Sequence, residues 1–375
     1  MNMIIIMYDG FLPTKLQTFL NLRGLFNILV IIYLAKDFKI NDKATKAILL
    51  FVFYMFMLCL FSSNIALSVE MTIKSSIGML MFLIGKRFFN DEYNFEKLLR
   101  YYYFLLLLAI AAFVISNIFN IGISGYSNDS ENLKGLYFGG LGVAITKILM
   151  IPILLAPIIL YKVHINSKRS IMLLFIFFGL IISIIAFKRS STMGLMAGAL
   201  VYALFLKKNI VFKYMVIISA FAFITSPLYI NYLEESYATR SKQLYGISDD
   251  AETMEIEGRY WETEAVINAI KNDDLMHTLF GSEIFNEFDY FKTKRMLHID
   301  YNVILNGTGI IGLFVFLLIY YYIIKKAILY FRFFDDWYSK IISISIISIV
   351  VFTLFISIGG SVRSFDFRGP IFLYL

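Results

Sequence analysis

The feature that most constrains this chain is a series of apolar segments that approach the length needed to cross a lipid bilayer. About 20 apolar residues cover the hydrocarbon core, with about 17 as the lower end. About ten segments come near this length. They are predicted at 19–35, 47–64, 72–85, 99–119, 141–161, 171–187, 192–206, 211–230, 301–324 and 341–358. With 59% hydrophobic and only 16% charged residues, the chain is predicted to be an all-α, polytopic membrane protein.

Lysine and arginine are concentrated in every second loop between these segments, and the positive-inside rule makes those loops cytoplasmic. The basic residues in question are Lys36, Lys39, Lys43, Lys46, Lys86, Arg87, Lys97, Arg100, Lys162, Lys168, Arg169, Lys207, Lys208, Lys213, Lys325, Lys326, Arg332 and Lys340. The other loops and both termini are then external. The chain divides into eight helices over 1–230, a large external loop over 231–297, and the last helices over 298–375. A net charge of +7 spread in this way is a topology signal and does not indicate nucleic-acid binding.

Some basic residues lie on the external side, against this rule. Lys188 and Arg189 occupy the turn "FKRSSTMGL", Arg363 and Arg368 lie in "GGSVRSFDFRGP", and Arg23 lies in "NLRGL". Basic side chains at helix ends often reach out to lipid headgroups, which is the ordinary explanation for one such residue. Several on the same side favour a second explanation, in which they bind an anion.

The loop over 231–297 is longer than a connection requires, and loops of that size are usually functional or disordered. Within it, "GRYWETEAVINAIKN" places apolar residues at the spacing of one helical face, which predicts an amphipathic helix over 258–272. Arg259 falls in its first turn, where the helix dipole and free N–H groups already favour an anion. The alternative is a surface arginine paired with Glu257 or Glu262.

His298 and Asp300 begin the next apolar segment at its external end. Histidine exchanges protons near neutral pH, and a half-desolvated carboxylate can act as a base. The two residues are candidate catalytic groups, although a lone histidine at a helix end is more often an interfacial residue. The adjacent acids Asp249–Asp250, Asp273–Asp274 and Asp335–Asp336 lack ligating neighbours at a diagnostic spacing, so no metal is predicted.

These segments together resemble the O-antigen polymerase and O-antigen ligase superfamily of bacterial polysaccharide assembly. The resemblance is carried by "KRSSTMGLMAGALVYALF", by "GRYWETEAVINAI" followed by "LFGSEIF", and by "HIDYNVILNGTGIIGLFVFL" with its Gly-x-x-Gly step. Each motif is loose, and their order and spacing are more specific. Unlike many relatives, which have more helices, the chain ends on the short apolar "PIFLYL".

The resemblance implies a GT-C-like glycosyltransferase of the inner membrane that needs no cofactor. Its donor is an oligosaccharide on polyprenyl pyrophosphate at the external face, and its partners are the lipid-linked acceptor glycan, the bilayer and a chain-length regulator. Since the leaving group is pyrophosphate, cations must neutralise the charge that develops. The candidate pyrophosphate-binding residues are Arg189, Arg259 and Lys188, followed by Arg363, Arg368 and Arg23.

Three other functions compete with polymerase. A ligase would attach the finished glycan to a lipid core and tends to carry a histidine where His298 stands. A polysaccharide flippase should show internal repeats and charges deep along a central path, which the sequence does not show. A membrane scaffold would not need an external cluster of cations. The "HID" sequence with Asp300 favours polymerase, with Asp300 as the base.

The predicted topology can be tested by cysteine labelling of Ser248→Cys in a Cys59→Ser background. We expect an impermeant thiol reagent to label Cys at position 248 in intact spheroplasts, because the loop over 231–297 is external. Lys208→Cys, in a predicted cytoplasmic loop, is the control and should react only after lysis. The reverse pattern would invert the topology.

Overall fold

The computed structural model describes residues 42–89, 91–121, 145–162, 169–185, 189–205, 259–272, 274–286, 297, 299–359 and 365–375. Within these ranges every regular element is a helix, and no strand occurs. The helices are α1 (Lys43–Cys59), α2 (Ile65–Phe88), α3 (Glu92–Phe119), α4 (Ile145–Leu154), α5 (Ala156–Lys162), α6 (Arg169–Ile185), α7 (Arg189–Phe205), α8 (Arg259–Asn272), α9 (Leu275–Phe280), α10 (Asp300–Phe333), α11 (Trp337–Ile356) and α12 (Phe365–Tyr374). A 3₁₀ turn, Ser357–Gly359, follows α11.

Four of these helices, α2, α3, α10 and α11, are long and apolar enough to cross a membrane. They confirm the predicted class, an all-helical membrane protein. The shorter apolar stretches Ile171–Ser183 and Met193–Phe205 lie in α6 and α7. The spans predicted at 19–35 and 211–230 lie outside the described residues.

The span predicted at 141–161 is divided into α4 and α5 at Leu155. Pro152 lies inside α4, and Pro157 is the second residue of α5. A proline has no N–H to donate, and its ring crowds the carbonyl four residues earlier, so two prolines this close interrupt a continuous helix. The sequence prediction did not allow for this interruption.

The chain forms two compact units. The described part of the first unit comprises most of α3, the helices α4 to α7, and α11 as far as Phe352. Its core is a cluster in which Leu106 and Ala109 of α3 meet Leu149 of α4 and Ile176 of α6. Polar contacts join α7 to α11, where the Ser348 hydroxyl donates to the Gly198 carbonyl at 2.8 Å. Such small-residue and hydroxyl contacts are typical of helices that associate in lipid.

The second unit contains α1, α2, α8, α9, α10, α12 and the end of α11. Here α12 lies along α2, with Gly78 and Gly85 facing it. A Cβ on Gly78 would lie 3.2 Å from the Arg368 Cβ, and one on Gly85 would overlap the Leu373 carbonyl oxygen. Glycine at both positions therefore allows the two backbones to approach closely.

Two contacts position α1 in the same unit. Its Phe51 ring lies 5.6 Å from the Phe316 ring of α10, measured between centroids. At its start, Asp42 caps the helix through the Thr45 N–H at 2.8 Å and forms an ion pair with Lys86 at the end of α2. Partial burial opposes ionisation, but the hydrogen bonds from Lys86 and Thr45 outweigh it and lower the pKa of Asp42 to about 2. Asp42 is thus ionised at physiological pH.

The helix predicted over 258–272 is confirmed as α8. Val266 is fully buried and Glu262 is 6% exposed, so the buried side of α8 includes a carboxylate. Ala265, one of the apolar residues at the helical spacing, is exposed instead. The buried side of α8 therefore differs from a purely apolar face.

The close approach of α2 and α12 predicts that Gly85→Leu destabilises the protein. The added side chain would collide with the Leu373 backbone, and overpacking of this kind costs about 1–3 kcal/mol. We expect a lower unfolding temperature in detergent. Ala66→Leu, at an exposed position of the same helix, is the control and should change it little. Equal effects of the two variants would contradict this account of the interface.

Candidate functional site

The most unusual group in the second unit is Arg368 of α12, whose side chain is fully buried. Its Nη2 forms an ion pair with Asp300 Oδ2 and donates to the Ser357 hydroxyl at 3.0 Å. Its Nη1 donates to the Tyr320 hydroxyl at 2.8 Å. The guanidinium carbon lies 5.6 Å from the centroid of the Phe316 ring, within cation–π range. Because a buried charge is costly unless it is paired, these contacts are what allow an arginine at this place.

Arg368 lies beside the middle of the membrane-length helix α2. Arg368 faces Gly78, which lies 13 residues after the start of the 24-residue helix α2 and 10 residues before its end. At about 1.5 Å per residue, Gly78 is about 20 Å from one end of α2 and about 15 Å from the other. Asp300, paired with this arginine, is 1% exposed. An ionisable pair at such depth is a candidate functional site, because charges in membrane helices are rare.

The two residues meet because α10 is not a straight helix. Asp300 and Tyr320 bind the same guanidinium, although a straight helix would separate residues twenty positions apart by about 30 Å. The interruption is at Gly309, which has φ 64° and ψ −170°. Essentially only glycine adopts this conformation. The first segment of α10, residues 300–308, therefore turns back toward the level of Tyr320.

Backbone groups freed at the interruption have partners, as they must in a membrane helix. The Tyr54 hydroxyl of α1 donates to the Thr308 carbonyl at 2.9 Å. The Ser282 N–H, in the turn after α9, donates to the Asn306 carbonyl at 2.8 Å. A Cβ on Gly309 would overlap the Leu279 carbonyl oxygen, so this turn lies directly against the interrupted backbone.

The same turn is also held to the connection between α1 and α2. Glu283 accepts hydrogen bonds from the Ser62 hydroxyl at 2.8 Å and from the Ser63 N–H at 3.2 Å. The Ser68 hydroxyl donates to the Ile284 carbonyl at 2.7 Å. The "LFGSEIF" motif thus links the interrupted backbone of α10 to the start of α2 by hydrogen bonds.

Of the residues that the sequence suggested, Asp300 and Arg368 are brought together. The sequence placed both at external helix ends, whereas in the structure the backbone of Arg368 lies against the centre of α2 and its guanidinium binds Asp300. Arg189 and Arg259 are the first residues of α7 and α8, and their side chains lie outside the described part. Lys188, His298, Arg363 and Arg23 also lie outside it.

Several residues of the site were not suggested by the sequence. Tyr320 lies in "LLIYYYII", where nothing distinguishes it from its neighbours, and Ser357 is one of many serines in α11 and its end. The burial of Glu262 could have been inferred from its position, because it lies four residues before Val266 and therefore on the same side of α8. Among the described residues, no cluster of histidine, cysteine or acidic side chains could hold a metal ion.

No family model, no curated protein and no solved structure matches this chain. The resemblance to polysaccharide polymerases and ligases stays a prediction from the sequence motifs.

The ion pair predicts a strong coupling between Asp300 and Arg368. Arg368→Met would leave a buried carboxylate without its partner, which costs about 3–5 kcal/mol. The double variant Arg368→Met with Asp300→Asn should recover much of this loss, because neither charge remains. Both can be measured by unfolding in detergent micelles.

The exposed pair Glu70–Lys74 on α2 is the matched control, with side chains 60% and 50% exposed. Lys74→Met should cost less than about 1 kcal/mol, as expected of a surface pair. If Arg368→Met were as mild as Lys74→Met, the buried pair would not stabilise the fold.

Proposed function

We propose that the protein is a membrane glycosyltransferase that joins oligosaccharide repeat units carried on polyprenyl pyrophosphate. In this proposal it is a polysaccharide polymerase of the inner membrane with about ten spans, a GT-C-like fold and an active site on the external face. The observation that supports it best is the contact between Asp300 and Arg368. They come from two separate sequence segments that were both predicted to belong to the site, and they form one buried polar cluster.

The geometry favours different roles for the candidate cations. The described contacts of Arg368 are with Asp300, Tyr320 and Ser357, and its side chain is fully buried, so a positioning role suits it better than pyrophosphate binding. The pyrophosphate clamp is then assigned to Arg189, Arg259 and Lys188, with Arg363 and Arg23 as further candidates. Arg259 begins α8, where helix N–H groups add to the attraction for phosphate oxygens.

Transfer requires that a sugar hydroxyl loses its proton as its oxygen attacks the anomeric carbon and the bond to pyrophosphate breaks. A positioned base contributes about 10²- to 10⁴-fold to such a step. Asp300 is 1% exposed and its carboxylate is bound to the buried guanidinium of Arg368, which leaves a sugar hydroxyl little access to it. The pairing of Asp300 thus favours His298 as the proton acceptor over the base that the sequence favoured, with Asp300 holding the start of α10.

This pairing also favours a second candidate function, the ligase. If His298 is the base, the chain has the histidine that the sequence analysis associated with transfer of a finished glycan to a lipid core. Polymerase and ligase would use the same donor and the same pyrophosphate clamp. They differ in the acceptor, a growing glycan or a lipid core.

The glycan pattern of cells with and without the protein tests the proposal. For a polymerase, we expect loss of the protein to remove long chains while single repeats stay attached to the lipid core. Loss of all attachment would indicate a ligase instead. Purified protein in detergent should also extend lipid-linked repeats, and a flippase would not, because a flippase forms no glycosidic bond.

The residues proposed to bind pyrophosphate can be tested as variants in the same cells. Arg259→Ala should abolish extension at normal protein levels, and Arg259→Lys should restore it only in part, because lysine lacks the planar fork of arginine. Lys271→Ala, at the other end of α8 and exposed, is the control and should keep normal activity. Full activity of both Arg189→Ala and Arg259→Ala would exclude the proposed clamp.

A further inference from the structure

Glu262 of α8 makes a contact that the proposed chemistry does not use. Its carboxylate is 6% exposed and accepts a hydrogen bond from the Ile299 N–H at 2.8 Å. Asn302 Nδ2 lies 3.4 Å from the same oxygen and donates to the Thr263 hydroxyl at 2.9 Å. Two adjacent residues of α8 are therefore bonded to the first turn of α10.

Ile299 is the N-cap residue of α10, and its side chain makes no capping hydrogen bond in the described structure. In a capping box, a glutamate in the first turn of a helix reaches back to the N–H of the N-cap residue. Here the glutamate that binds this N–H comes from another helix. A carboxylate at a helix N-terminus is also stabilised by the helix dipole. The start of α10 is thus completed by α8.

The bonded peptide directly precedes Asp300, and Asp300 is bound in turn by Arg368. The first segment of α10 is therefore held by Glu262 through the Ile299 N–H and by Arg368 through the Asp300 carboxylate. Glu262 also lies one helical turn after Arg259, the first residue of α8. A displacement of this contact would move the start of α8 relative to the start of α10.

We propose that Glu262 is a positioning residue, which sets the phosphate-binding end of α8 against the acid–base end of α10. It would act through Ile299 and Asn302 without touching either substrate. This inference rests on the proposed function, since the proposed transfer reaction is what requires the starts of α8 and α10 to be aligned. Alignment of this kind acts on the rate of transfer more than on substrate binding, because small displacements of reacting groups reduce rates strongly.

The test compares Glu262→Ala and Glu262→Gln with Glu264→Ala, which removes the same charge from an exposed position of α8. The first measurement is independent of activity. In hydrogen–deuterium exchange of the full-length protein in detergent, peptides covering 297–303 should exchange about tenfold faster in Glu262→Ala, as expected for a lost charge-assisted hydrogen bond. Glu262→Gln should be intermediate, because its amide oxygen still accepts the bond. Glu264→Ala should match the wild type.

The second measurement is chain extension with lipid-linked repeat units. We expect Glu262→Ala to lower kcat by about tenfold or more with little change in KM, and Glu262→Gln to restore part of kcat. Unchanged exchange in Glu262→Ala would overturn the contact. Faster exchange with unchanged kcat would overturn the positioning role. If the wild type itself extends no chains, the proposed function fails, and the exchange data still decide whether Glu262 holds α10.

Discussion

The second unit depends on how it accommodates one arginine, Arg368 of α12, beside the middle of the membrane-length helix α2. An unpaired guanidinium there would be very unfavourable, so the surroundings of Arg368 must supply a counter-charge and hydrogen-bond acceptors. Asp300, Tyr320 and Ser357 supply them from two places along α10 and from the turn after α11. The interruption at Gly309 follows from this requirement, because without it Asp300 and Tyr320 could not reach the same side chain. The hydrogen bonds of Glu283 hold the interrupted helix α10 in place, and the glycines of α2 allow α12 to pack closely.

The sequence predicted the parts of this arrangement that depend on local pattern. Runs of apolar residues located α2, α3, α10 and α11, and helical spacing located α8. The parts that depend on tertiary contacts were not predictable in the same way. Asp300 and Arg368 are 68 residues apart, and nothing in either motif identifies the other. The segment "PIFLYL" is short, yet its residues as far as Tyr374 join "FDFRG" in α12, which lies beside α2 and needs no full crossing.

The buried side of α8 shows a related limit. Its apolar spacing indicated a helix with one buried face, and burial of Val266 agrees with that. The spacing of four residues from Val266 puts Glu262 on the same side of α8, but a carboxylate is normally assigned to solvent. It is buried because the free N–H at the start of α10 offers it a partner. A hydrophobicity pattern reflects the cost of burying a polar group, but it contains no information about a hydrogen bond with a residue distant in the sequence.

The distance along the chain between Asp300 and Arg368 has a consequence for biogenesis. Asp300 leaves the ribosome before Arg368 is made, and at about 5–20 residues per second the interval is on the order of several seconds. During that time the Arg368 guanidinium is not available to the carboxylate, and hydrocarbon would be unfavourable for it in the ionised state. The first segment of α10 is therefore expected to wait in an aqueous setting while residues 310–333 insert. Its arrival beside α2 would then be a late event, which occurs together with the docking of α12 rather than during translocation.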